Sequence, residues 1–157
     1  MANIKKARIV GCIFLIQFII GILINQFLIG PVVFSQDFLI DVYANSNKLI
    51  IGVLISIISG IISIVTAVIL FSEFKKYSKG IALLFLSFTI AGFVSLAFDN
   101  IFVLSILSLS KEYANSSVSD IAHFQFLGTI LYEIRWWTHY IEMFIGCFPL
   151  FIFYFTL

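Results

Sequence analysis

Apolar residues in this chain fall into four long stretches separated by short polar segments. Crossing the hydrocarbon core of a bilayer as a helix takes about 20 apolar residues. The first stretch, about 9–29, ends at Gly30-Pro31, a pair that terminates helices. The others cover about 49–71, 80–109 and 124–157. The pattern predicts an all-α integral membrane bundle of four transmembrane helices, forming a single domain over 1–157 with no internal repeat. Stretches 101–110 and 124–134 lengthen the third and fourth spans beyond one bilayer thickness. They are helical extensions, re-entrant segments or parts of tilted helices. The final run, "PLFIFYFTL", lacks a basic flank, as expected of a shortened or truncated chain or of a helix ending flush with the membrane.

Composition strengthens this picture. Hydrophobic residues make up 62% and charged residues 11%, against about 45–50% and about 25% in soluble domains. A net charge of +1 gives no basis for nucleic-acid binding. Lys5, Lys6 and Arg8 precede the first span, and Lys75, Lys76 and Lys79 lie between the second and third. The other two connections hold Lys48 and Lys111 beside Asp37, Asp41, Glu112 and Asp120. The positive-inside rule therefore predicts cytoplasmic N- and C-termini and a cytoplasmic 73–79 loop, with 31–47 and 110–123 facing outward. A multi-pass protein of the cell membrane is expected, with the lipid bilayer as its partner. Cys12 and Cys147 sit in apolar runs without metal spacing and are expected to be small buried hydrophobes. The first span is too long for a cleavable signal peptide.

The stretch "YEIRWWTHYIEMF" (132–144) departs from the apolar pattern with Glu133, Arg135, His139 and Glu142. At about 1.5 Å rise per residue, Arg135, His139 and Glu142 lie about 33, 27 and 22 Å above the cytoplasmic end of their helix. Asp99, beside Asn100, lies about 28 Å up the third span, and Asn25 and Gln26 about 25–27 Å up the first. Polar groups of three helices thus fall near one level, close to the outer boundary of the core. At about 100° per residue, Arg135, His139 and Glu142 share one face and Glu133 points away. Charges facing lipid are expensive, so Arg135 is expected to pair with Asp99, and Glu142 with Arg135 or His139. Three roles stay open: an aromatic belt in which Arg135 snorkels beside Trp136 and Trp137, a structural ion-pair cluster, or a functional polar pocket.

Little chemistry is legible elsewhere. Gly52, Ser56 and Gly60 recur every fourth residue, as do Ser59, Ser63 and Ala67. Such a face allows close packing on a neighbouring helix, a second protomer or another membrane partner. Among catalytic signatures there is no HExxH, phosphate loop or nucleophile with a nearby base. His139 and Glu142 have a spacing that holds a metal on a helix, but two ligands do not make a site, so no metal, cofactor or catalytic residue is assigned. The expectation is a non-enzymatic accessory, sensor or assembly bundle; the alternative is a transporter or ion-coupled permease using the polar cluster.

"ARIVGCIFLIQFIIGILINQFLIGP" (7–31), "VYANSNKLIIGVL" (42–54), "LSILSLSKEY" (104–113) and "FQFLGTILYEIRWW" (124–137) resemble an uncharacterised family of bacterial multi-pass membrane proteins, domain of unknown function 4386. The resemblance covers essentially the whole chain, with Arg135 and Trp137 its sharpest matches. It implies a helical membrane fold and no established activity. It also implies about two further helices after a basic loop, and charges in the second and third spans where this chain has Ser56, Thr89 and Gly92.

Overall fold

The computed structural model describes residues 2–117 and 120–156, with side chains from residue 8 onward. Among these residues there is no strand. Helix α1 (Ala2–Leu23) runs through a π-helical turn (Ile24–Leu28) into the short α2 (Gly30–Val33). Then follow α3 (Phe38–Ala44) and three long helices, α4 (Ser46–Phe74), α5 (Lys79–Ala114) and α6 (Ile121–Thr156). Four helical spans are long and apolar enough to cross a membrane: Arg8–Val33, Ser46–Phe74, Lys79–Ala114 and Ile121–Thr156. They alternate in direction, with α5 packed on α4 and α6, and α1 on α4.

The Gly30-Pro31 pair does not stop the first span, contrary to the sequence expectation. Pro31 has no N–H and its ring crowds the carbonyl four residues back, which would break an α-helix. The chain instead widens by one residue per turn, with the Ile29 N–H donating to the Ile24 carbonyl at 2.8 Å. That turn keeps the backbone bonded inside an apolar solvent. It also draws Gly30 against the backbone: a Cβ there would lie 1.9 Å from the Asn25 carbonyl oxygen.

Both α5 and α6 are unbroken helices of 36 residues, about 54 Å long. Stretches 101–110 and 124–134 are therefore helical extensions packed against each other, not re-entrant segments. Helix α6 also continues through Pro149. At the end of the bundle bearing the 115–120 connection, α2 completes the first span and α3 packs on α5 and α4 as a cap. The Ser110 hydroxyl donates to the Leu39 carbonyl, and Gly128 leaves room for Phe38 and Leu39. Under this cap lies the larger apolar core, including Val33, Val42, Leu49, Val103 and Ile106. A second core of Ala67, Phe74, Ala82 and Phe85 closes the opposite end. Between the two cores lies a layer of polar side chains.

Gly52, Ser56 and Gly60 are all buried within the chain. Gly52 lies against Leu28 and Ile29, and Gly60 against Phe93 and Leu96, so this small-residue face packs on neighbouring helices of the bundle. Cys12 and Cys147 are exposed on the outside of the helices rather than buried. Thiols are apolar enough to face acyl chains as readily as a core.

Candidate functional site

The polar layer is built around α5 and α6. Asp99 and Arg135 are both buried, 5% and 2% exposed, with Arg135 Nη2 lying 3.6 Å from Asp99 Oδ2. Arg135 is therefore not a base snorkelling to a boundary. Trp137, at 66% exposure, is the outward-facing member of the "RWW" triplet. The guanidinium carbon stands 4.8 Å from the centre of the Phe34 ring, which the capping segment delivers. Phe34 is held edge-on by Trp136 at 5.3 Å and by Tyr132 at 6.1 Å. A desolvated cation over an aromatic face is stabilised by the ring quadrupole.

One turn along α6, His139 Nδ1 lies 3.5 Å from Glu142 Oε2. Asp99, His139 and Glu142 offer donor atoms that all lie within 4.8 Å of one another. Asn100 donates to the Ser56 hydroxyl at 3.0 Å and to the Leu96 carbonyl at 2.9 Å, fixing α5 against α4. Among the described residues, the buried side-chain polar atoms lacking a hydrogen-bond partner are Asp99 Oδ1, Arg135 Nε and Nη1, and His139 Nδ1. Leaving such atoms bare costs about 1–3 kcal/mol each. All belong to residues lining one chamber of about 230 Å³.

That chamber meets a larger, mostly apolar cavity of about 380 Å³ lined by all four spans. Gly60, Ser63, Leu96 and Glu142 line both. Phenylalanines dominate the larger cavity, among them Phe88, stacked on Phe148 at 4.6 Å outside it. Together the two spaces form a cleft with a polar end and an apolar body.

The structure does not bring every candidate together. Asn25 lines the chamber, but its amide donates to its own helix at the Gly21 carbonyl, 3.2 Å away. Gln26 is exposed and does not line the chamber. Glu133 is also exposed. Sequence reading passed over Gln17, whose amide donates to the Ser63 hydroxyl at 2.8 Å and the Ser59 carbonyl at 3.1 Å. Its spacing of eight residues from Asn25, two helical turns, was the available signal. Nothing in the sequence marked Phe34. Interhelical hydrogen bonds in membranes average about 0.6 kcal/mol. A cycle of Gln17→Leu and Ser63→Ala, followed by denaturation in micelles, should accordingly give a coupling of about 0.6 kcal/mol.

A family model described as "Domain of unknown function (DUF4386)" matches residues 9–157. No curated protein and no solved structure gives a match.

Proposed function

This chain belongs to the DUF4386 family, and from its geometry we propose a non-enzymatic sensor or accessory bundle of the cell membrane that holds a small amphipathic molecule between its helices. The carrying observation is the set of unpartnered buried atoms of Asp99, Arg135 and His139 around one chamber. Asp99 Oδ1 accepts while Arg135 Nε and Nη1 donate. The complementary head group is uncharged and both donates and accepts, as a glycerol or amide does. The adjoining Phe-lined cavity suits an acyl tail. Positive-inside asymmetry supports a bundle whose α2–α3 cap faces outward and whose termini are cytoplasmic.

Trp136, packed on Phe34 beneath the guanidinium, is a built-in reporter. With Trp137→Phe as background, Trp136 is the sole tryptophan of the original two. Titrating 1-decanoylglycerol into protein in neutral detergent should change its emission saturably. The Asp99→Asn/Arg135→Gln double variant should bind at least about tenfold more weakly, a loss of about 1.4 kcal/mol. A linear, unsaturable response identical in both proteins would remove the reading.

A second reading, a transporter or ion-coupled permease, is favoured by one feature. The π turn in the first span contributes Ile24 and Asn25 to the chamber lining, and interrupted helices mark substrate sites in transporters. Ion flux into proteoliposomes that vanishes in the same double variant would select it over a binding bundle.

A further inference from the structure

We propose that the chamber holds a divalent transition-metal ion, of the zinc type, coordinated by Asp99, His139 and Glu142. The inference rests on reading that chamber as a binding site and names an occupant of it. Sequence spacing supplied two of the ligands on one helix face; the fold supplies the third from α5. The three donor atoms already lie within 4.8 Å of one another. Around a tetrahedral zinc the ligand atoms stand about 3.4 Å apart, from metal–ligand bonds of about 2.0–2.2 Å. Side-chain adjustments of about 1 Å close that difference, and His139 and Glu142 keep side-chain exposures of 22% and 25% that leave them room to make it.

Two further observations point to a cation. Asp99 is buried to 5% exposure, and its Oδ1 lines the chamber without a partner. His139 Nδ1, 3.5 Å from Glu142 Oε2, likewise makes no hydrogen bond. Arg135 faces Asp99 Oδ2, leaving Oδ1 for the metal, and a carboxylate held on one oxygen and ligating with the other is a common outer-shell arrangement. The donor set selects the metal: one imidazole with two carboxylates suits zinc-type ions, whereas magnesium and calcium take oxygen shells. Three protein ligands leave a coordination position open to water or to the head group of a bound molecule.

The test uses tag-free protein carrying Cys12→Ser and Cys147→Ser, so that exposed thiols hold no zinc. Zinc binding is followed by calorimetry and by metal content after desalting. One zinc per chain is expected, undisturbed by excess magnesium. His139→Ala and Glu142→Gln, at partly exposed positions, should each weaken binding by at least about 100-fold, the upper range seen for losses even outside the ligand shell. Circular dichroism should show the same helix content in both variants. Zinc affinity unchanged in either variant, or no stoichiometric zinc at all, would overturn the inference. If zinc is absent while Trp136 still reports saturable 1-decanoylglycerol binding, the ion is refuted and the binding-bundle reading stands; if both signals are absent, both fail.

Discussion

Replacing Arg135 with alanine is expected to lower the stability of the bundle by about 3–5 kcal/mol, the loss typical when one partner of a buried ion pair is removed. Denaturant titration in mixed micelles, followed by circular dichroism, measures it. Attraction between the two charges is not the main source. Their 3.6 Å separation is longer than the 2.7–2.9 Å of a strong charge-assisted hydrogen bond. The loss arises from Asp99, which would remain 5% exposed with its countercharge gone, and from the Phe34 ring losing the cation above it. Removing both charges by Asp99→Asn/Arg135→Gln should therefore recover more than half of the deficit. A snorkelling arginine of an aromatic belt would behave otherwise, with a loss under about 1 kcal/mol, as for an exposed ion pair. Trp137→Ala, at an exposed position, provides that comparison within the same helix.

Gly30→Ala should be the second severe substitution, costing about 3 kcal/mol, the upper range for overpacking a tight site. Its Cβ would meet the Asn25 carbonyl oxygen at 1.9 Å and the carbonyl carbon at 3.1 Å. Both are backbone atoms, so no rotamer change relieves the clash and the π turn itself must move. Gly21→Ala makes the contrast, because nothing lies within 4 Å of a Cβ there. It should be neutral or gain up to about 1 kcal/mol, the usual helix preference for alanine over glycine. Thermal denaturation of the two variants side by side checks the prediction. Equal midpoints would show that the backbone of the first span yields without penalty.

The four spans were legible because hydropathy reports directly on the solvent a helix faces. Several ends extend three to five residues beyond the apolar runs where polar residues carry the helix on, as at Ser46 and Ala114. Asp99 and Arg135 were legible as neighbours because a regular helix converts residue number into height. The same arithmetic fails where the helix is irregular. The π turn at Ile24–Leu28 changes the angular register, so height alone placed Asn25 and Gln26 together, while in the structure both are exposed and Asn25 but not Gln26 lines the chamber. Phe34 was invisible because its position depends on how the α2–α3 cap folds back across the bundle. The two joined cavities were invisible because voids are set by how facing side chains interlock, which periodicity within one helix does not encode. Small residues at four-residue spacing announced close packing, but which neighbours they served, the π turn of the first span and α5, required three-dimensional placement.

The pairing of Asp99 with Arg135 also bears on biogenesis. On the insertion scale each such residue at a helix centre costs about 2.5–3.5 kcal/mol when its helix enters the bilayer alone. The two residues sit on consecutive helices joined only by residues 115–120. A hairpin leaving the translocon as one unit brings acid and base into contact before either meets lipid, so the pair partitions as a near-neutral object. Helices α5 and α6 should accordingly enter the membrane together, and a nascent chain arrested after α5 should be retained at the protein-conducting channel until α6 arrives.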